Sequence, residues 1–299
     1  MNPVRDKRIQ VLYYKVPKKE IYKISNGMKR ILFTLLFLGF FLPTFFVNAT
    51  DPIKVLIVPG HDNKIWGSQY GKLKEADMNL ALGMQIFNLL KKDKRFSVYI
   101  TRDSNGYVST FGNYFKDHEK DITLFKENAR KIKKEAIQSG TFIEKVSVPH
   151  VAVKSYMSNI LYGINKWSDE NKMDMVLHIH FNDYPRQYVW TKGKYKGFTI
   201  YVPENQMANA KESRILAQNI FDKLAQKYVT STYEKEIDGI VEDQSLIALG
   251  SNGTLLPTVR SVLIEYGYIY RFGNRVERQK AYDNMTKLTV AGIKNYFFK

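Results

Sequence analysis

The sequence predicts an α/β protein with a single, mostly parallel and twisted sheet, helices on both faces, and an insert between the second and third strands. Short apolar runs alternate along the chain with longer segments in which apolar residues recur at helical spacing. No internal repeat is visible, and the 44% apolar content is enough for a sizeable core. We therefore expect one domain over residues 50–299.

The expected strands are runs of β-branched, aromatic and other apolar residues that end at turn-forming or polar residues. They fall at 53–58, 96–101, 175–183, 197–202 and 261–267. The expected helices have apolar residues three and four positions apart. They fall at 75–92, 122–138, 154–171, 208–228 and 281–298. Residues 104–153 lack this rhythm apart from their strongly charged helix, so we interpret them as the insert.

The start of the chain has the pattern of a secretory signal. Residues 1–30 are basic, residues 31–47 are uncharged and apolar, and Val47-Asn48-Ala49 resembles a cleavage site. We expect cleavage after Ala49, with an uncleaved membrane anchor through 31–47 as the alternative. The basic leader is either a cytoplasmic tail or an upstream extension of a chain that starts at Met28. In each case residues 50–299 would lie outside the cytoplasm, in the cell wall or periplasm.

Composition restricts the chemistry that is available. The chain has no cysteine, which excludes disulfides, thiolate metal sites and cysteine nucleophiles, so a metal site must use His, Asp and Glu. Its formal net charge of +17 favours polyanionic partners. Because no compact basic run interleaved with aromatic residues appears in the main body, we do not expect nucleic acid to be the partner.

Polar residues with metal-ligand or acid–base chemistry occur at strand ends. His178 and His180 alternate with apolar residues, so they share one face of their strand. His61 follows the first strand, Glu75 begins the next helix, and Glu265 interrupts an apolar strand, where burying a carboxylate is costly. Such positions converge on one edge of an open α/β sheet. An alternative for the histidine pair is that the two rings are only hydrogen-bonded within a half-buried sheet.

Two histidines and one carboxylate leave a fourth position for water in a catalytic zinc site. A further carboxylate that does not bind the metal can take a proton from that water and pass it to a leaving amine. The scattered residues thus favour a zinc hydrolase.

Five motifs occur in the order typical of one enzyme family. From about Lys54 onward the chain resembles the zinc-dependent N-acetylmuramoyl-L-alanine amidases, which cleave the amide between the lactyl group of peptidoglycan and the stem peptide. The motifs are Val58-Pro59-Gly60-His61, Glu75-Ala76-Asp77-Met78-Asn79-Leu80, Thr101-Arg102-Asp103, Ile179-His180-Phe181-Asn182 and Ile264-Glu265-Tyr266-Gly267-Tyr268.

The resemblance implies zinc ligands at His61, Glu75 and His180 and a catalytic glutamate at Glu265. His178 stands where the family usually has a small residue, so we expect it behind the ligands or at the substrate, although it could compete as a ligand. Asn182 matches a family asparagine that contacts substrate or holds a loop. Two departures from the family bear on substrate detail: the long 104–153 segment, and the pair Asp62-Asn63 in place of glycines.

The implied partner is peptidoglycan. Two alternatives stay open, namely a zinc peptidase or deacetylase that acts on another amide, and a non-catalytic wall-binding protein of the same fold. The 104–153 insert is expected to be a lid or a docking element for an activator or regulator, or else a solvated decoration.

Overall fold

The computed structural model describes residues 51–145, 148, 153–244 and 251–299, all of which belong to one compact unit, Asp51–Lys299. Ten strands and six α-helices occur among these residues. The strands are β1 (Ile53–Pro59), β2 (Gln69–Tyr70), β3 (Leu73–Lys74), β4 (Phe96–Ile100), β5 (Arg102–Asp103), β6 (Gly106–Tyr107), β7 (Met175–Asn182), β8 (Thr199–Pro203), β9 (Ile240–Asp243) and β10 (Arg260–Tyr268). The helices are α1 (Glu75–Leu90), α2 (Ser109–Asp117), α3 (Glu119–Gln138), α4 (Ser155–Glu170), α5 (Ala210–Leu224) and α6 (Arg275–Phe297).

Six strands form the central sheet in the order β4-β1-β7-β10-β8-β9. Strands β4, β1, β7 and β10 are parallel to one another, β8 is antiparallel to β10, and β9 is parallel to β8. The predicted single, mostly parallel sheet is therefore confirmed. Because the parallel strands all end at the same edge, the residues that follow β1 and those at the ends of β7 and β10 meet there.

Helices cover both faces of the sheet, as predicted. The larger core joins one side of β1, β7 and β10 to α1, α5 and α6. The smaller core joins Leu56, Val58 and Val176 to apolar side chains of α2 and α4. Alternate residues of β1 thus enter opposite cores, which explains why this strand is a continuous apolar run in the sequence. His178 and His180 lie on the same face as Val176, toward α4.

Residues 104–153 are partly built into the domain. The expected helix at 122–138 begins earlier, at Glu119, and a further helix, α2, precedes it. Ile122 of α3 is buried, and a Cβ placed on Gly163 of α4 would lie 3.0 Å from its Cδ1. Phe111 of α2 packs on Trp167 of α4 with ring centroids 4.6 Å apart. The segment therefore covers one face of the sheet through α4.

The expectations for the basic leader, the apolar run and its cleavage fall on residues 1–50, which lie outside the described residues. Within the ranges that the structure does describe, no helix combines the length and the apolar character needed to cross a bilayer.

Candidate metal centre

Three predicted ligands, His61, Glu75 and His180, meet at the carboxyl edge of the sheet. His61 follows β1, Glu75 is the first residue of α1, and His180 lies near the end of β7. Nε2 of His61 is 3.2 Å from Oε2 of Glu75, and Nδ1 of His180 is 3.0 Å from Oε1 of the same carboxylate. The candidate ligand atoms all lie within 4.8 Å of one another. No other such group of three occurs in the part of the chain that the structure describes.

The Glu75 carboxylate is buried but held in its ionised form. Oε2 accepts a hydrogen bond from the Ser68 amide at 2.8 Å, and Oε1 accepts one from the Phe181 amide at 3.3 Å. Burial raises the pKa of Glu75, but attraction to His61 and the hydrogen bond to His180 outweigh it, so the pKa lies well below its usual value. Burial lowers the pKa of His61, yet the adjacent Glu75 raises it above normal. The two rings thus flank an anion.

Glycine is required at two positions beside this cluster. A Cβ on Gly60 would lie 2.2 Å from Nε2 of His180, and one on Gly67 would lie 2.4 Å from Oε2 of Glu75. Gly67 also has φ of +73°, a conformation that L side chains rarely adopt. The backbone at Gly60 and Gly67 can therefore approach the candidate ligands closely only because glycine has no side chain.

Arg102 and Asn79 hold the loop before His61. The buried Arg102 guanidinium donates hydrogen bonds to the carbonyls of Pro59 (3.1 Å), Gly60 (3.0 Å) and Ala76 (2.7 Å). Nδ2 of Asn79 donates to the Gly60 carbonyl at 2.9 Å. These bonds tie the end of β1 to the first turn of α1, the two elements that carry His61 and Glu75. In the sequence, Arg102 and Asn79 stand within two of the family motifs, and no local pattern indicates this role.

Glu265 lies beside the cluster without joining it. The pairing of β7 with β10 sets Glu265 opposite His180. Its Oε2 is buried and has no hydrogen-bond partner among the described residues. Burial, followed by repulsion from Glu75 and from Glu236, raises the pKa of Glu265 well above its usual value. A carboxyl group in this state holds a proton more readily than an exposed glutamate and can act as an acid–base group.

His178 lies deeper than His180 on the same face. It is paired with Val58 of β1 and Leu263 of β10, and it is not part of the three-residue cluster. Neither ring nitrogen has a hydrogen-bond partner within the described ranges. Burial and the nearby His180 lower its pKa to about 3, so the ring is neutral at physiological pH. A buried imidazole with two free nitrogens at the base of a cavity can orient a water molecule or a substrate group.

Asn182 lies at the end of β7 and lines the same cavity as the cluster, where it is bonded to Glu236, a carboxylate outside the sequence motifs. Its Nδ2 donates to Oε1 of Glu236 at 2.9 Å. The buried Glu236 also accepts hydrogen bonds from Tyr201 (2.5 Å), Ser231 (2.5 Å) and Tyr268 (3.1 Å). Glu236 thus connects β7, β8 and β10 beside Glu265. A lone Glu in a polar connection carries no sequence signal that could have identified it.

The cluster opens into a cavity of about 310 Å³ whose lining includes His61, Glu75, His178, His180 and Glu265. Apolar side chains of α4 form the opposite wall, among them Met157, Ile160 and Ile164. This cavity combines three imidazoles, an ionised carboxylate and a separate protonatable carboxyl group. The donor set fits a zinc ion with three protein ligands, since two histidines and one glutamate form an open catalytic site.

The chain matches the family model described as N-acetylmuramoyl-L-alanine amidase over residues 55–295. No curated protein sequence matches it. Three solved structures with similar folds are an N-acetylmuramoyl-L-alanine amidase from Clostridium difficile 630, the CwlD amidase from Clostridioides difficile in complex with the GerS lipoprotein, and apo Ami1 amidase from Mycobacterium abscessus.

For the first, the identity is 18% and the TM-score 0.52, covering 83% of this chain and 97% of the other. For CwlD the values are 16% and 0.51, covering 82% and 98%. For Ami1 they are 14% and 0.51, covering 83% and 99%. At these identities the likeness is one of fold. The family match spans most of the chain and includes all the residues of the site just described. The chain therefore belongs to the N-acetylmuramoyl-L-alanine amidase family.

Proposed function

We propose that the protein is a zinc amidase that hydrolyses the bond between N-acetylmuramic acid and L-alanine of peptidoglycan stem peptides. The observation that carries the proposal is the His61–Glu75–His180 cluster with the separate carboxyl group of Glu265 across from His180. Membership of the amidase family supports the substrate class. His61, Glu75 and His180 are the residues that would hold the zinc ion.

A bound zinc ion supplies Lewis acidity, which polarises an amide carbonyl and makes water more acidic. Glu265 takes a proton from the attacking water while the water oxygen bonds to the amide carbon. It then gives the proton to the departing L-alanine nitrogen as the carbon–nitrogen bond breaks, leaving a carboxylic acid on the lactyl group. The raised pKa of Glu265 suits a group that must both take and return a proton.

Glu75 keeps its orientation through the amides of Ser68 and Phe181, and Arg102 holds the loop that carries His61. These contacts fix the ligands before substrate binds, which lowers the cost of reaching a reactive geometry. His178, with two free nitrogens in the same cavity, is proposed to orient water or substrate.

The test is product analysis. Purified muropeptides treated with the zinc-loaded protein should yield intact stem peptides with a free L-alanine amine and sugars with a free lactyl carboxylate, identified by mass spectrometry. Glu265→Gln protein should produce neither. Cleavage inside the stem peptide, or removal of N-acetyl groups, would replace this proposal by the peptidase or deacetylase alternative.

We further propose that residues 50–299 act outside the cytoplasm, exported by the 31–47 segment, and that residues 104–153 form a lid or a docking element for a regulator. One contact supports a link between this segment and the site. Oδ2 of the buried Asp62, next to His61, accepts hydrogen bonds from Tyr107 (3.3 Å) and from Tyr156 of α4 (3.2 Å). Removing residues 104–153, which include Tyr107, should therefore raise basal hydrolysis if the segment is a lid, whereas removal of a solvated decoration from a still-folded protein would leave it unchanged.

A further inference from the structure

An exposed pair of aromatic rings lies on the loop that follows β7. Tyr188 is 48% exposed and Trp190 is 65% exposed. Their rings are parallel, with centroids 4.9 Å apart. Exposure of two large aromatic side chains side by side leaves flat apolar faces in water, which is the usual mark of a binding surface.

The loop is held in place by one arginine. The Arg186 guanidinium forms two hydrogen bonds with the Asp183 carboxylate, at 2.9 and 2.7 Å. It also donates to the carbonyls of Val189 (3.1 Å), Thr191 (2.9 Å) and Gln69 (2.8 Å), the last in the β2–β3 hairpin. Only 6% of the Arg186 side chain is exposed. The aromatic pair is therefore presented by a pre-organised loop, which reduces the entropy lost on binding.

The loop borders a groove that continues from the metal cavity. Residues 67–69, 183–186, 188 and 189 line the groove, which has a volume of about 500 Å³, and Trp190 adjoins it through its stacking on Tyr188. Ser68 and Asp183 line both this groove and the cavity that contains His61, Glu75 and His180. The hairpin bonded to Arg186 leads directly into Glu75. A polymer whose amide bond lies at the cluster can thus extend along the groove toward the aromatic pair.

We propose that Tyr188 and Trp190 form a saccharide-binding subsite for a sugar ring of the glycan strand next to the muramoyl residue that is cleaved. A pyranose ring has an apolar C–H face that matches a flat aromatic ring, and hydroxyl and acetamido groups at its edge that stay in water. The proposal rests on the proposed function, because it is the muramoyl amide that would place the glycan in this groove. The groove is continuous with the metal cavity, so its occupant should be part of the same polymer that reaches the cluster. This favours a sugar over a membrane surface.

The first experiment measures binding alone. The full chain is titrated with chitotetraose, a peptide-free β-1,4 oligomer of N-acetylglucosamine, by isothermal calorimetry. Trp190→Ala and Tyr188→Ala should each weaken binding about ten-fold or more, whereas Trp190→Phe, which keeps an aromatic face, should change it far less. Leu256→Ala is the matched control, since Leu256 is 44% exposed but precedes β10 and so lies at the opposite edge of the sheet.

The second experiment measures hydrolysis. Trp190→Ala should raise KM for polymeric peptidoglycan about ten-fold, and should raise KM far less for a single muramoyl dipeptide, which has no second sugar to occupy the subsite. Unchanged chitotetraose binding by Trp190→Ala, an equal loss in Leu256→Ala, or an effect of Trp190→Ala only on binding to anionic phospholipid vesicles would overturn the subsite. Hydrolysis of muropeptides by a protein that does not bind chitotetraose would also overturn it but leave the amidase proposal standing. Sugar binding lost in Trp190→Ala, with muropeptides left intact by the native chain, would support the subsite and overturn the amidase.

Discussion

Glu265 and His180 lie directly opposite each other on adjacent parallel strands, β10 and β7. The histidine is bonded to the Glu75 carboxylate, while Oε2 of Glu265 has no hydrogen-bond partner among the described residues. One strand thus contributes a candidate metal ligand and its neighbour a carboxyl group with an unbonded oxygen. We propose different roles for these two groups, and substitution should distinguish them.

His180→Ala should lose zinc and activity together, because a site with only two protein ligands holds the metal poorly. Glu265→Gln should keep the metal and lose roughly 10²–10⁴-fold in rate, the usual contribution of a general acid–base group. Metal content by emission spectroscopy is measured beside muropeptide hydrolysis for both proteins. Near-native hydrolysis by Glu265→Gln would contradict the mechanism.

His178→Ala should keep its zinc and lose about 10–100-fold in activity, since the ring lies behind His180 and is not part of the cluster. His178→Leu, which fills the space but removes both ring nitrogens, is the matched variant. If the nitrogens orient water or substrate, both proteins should be impaired. A zinc-free His178→Ala beside a zinc-loaded His180→Ala would reverse the ligand assignment.

Glu236→Gln should destabilise the domain by about 1–3 kcal/mol. All the hydrogen-bonded partners of Glu236 donate to its oxygens, and an amide NH₂ in place of one oxygen cannot accept from them. The measurement is the free energy of unfolding in urea, with Glu234→Gln, an exposed neighbour, as the control. A Glu236→Gln protein as stable as the control would mean that the network contributes little.

Gly60→Ala should disrupt the metal centre while Gly253→Ala does not. The added Cβ at position 60 would lie 2.2 Å from Nε2 of His180, whereas nothing lies within 4 Å of one at position 253. We expect Gly60→Ala to lower zinc affinity at least ten-fold, because the ring must move. Calorimetric zinc titration of both proteins checks this, and native affinity in Gly60→Ala would contradict the described loop.

Acid should weaken the attachment of the insert to the end of β8. Burial raises the pKa of Glu204, but Lys145, Gln244 and Gln206 outweigh it and lower the pKa to about 2. The folded pKa is below the unfolded one, so this stabilisation is present above the usual value of 4.5 and is lost as the pH falls toward 2. The Lys145 side chain is half exposed, so solvent screening limits the loss to about 1 kcal/mol.

Urea unfolding of the native chain and of Glu204→Gln at pH 7 and pH 3 measures this effect. The difference in stability between the two proteins should shrink at the lower pH. A difference that is the same at both pH values would show that the ionised carboxylate is not the stabilising group.

Much of the fold and site could be predicted from local patterns. The apolar runs identified five of the six sheet strands, and the helical spacing identified five of the six helices. The sequence does not indicate strand β9, because its four residues, which follow a glycine and include two acidic residues, are too few to show a period. Its burial comes from pairing with β8. Helix α2 was missed because only one of its residues, Phe111, is buried.

Alternation along β7 placed His178 and His180 on one face, and an acidic residue within an apolar run singled out Glu265; these conclusions need only the pleat of a strand and the cost of burying charge. Tertiary structure decided the rest. Strand order brought His61, Glu75 and His180 together across more than 100 residues. His178 lies deeper in the sheet than His180 and so does not join the cluster. The hydrogen bonds of Glu236 and Arg102 and the stacking of Tyr188 on Trp190 likewise follow from tertiary packing. Such contacts join residues distant in the chain, and no local pattern encodes them.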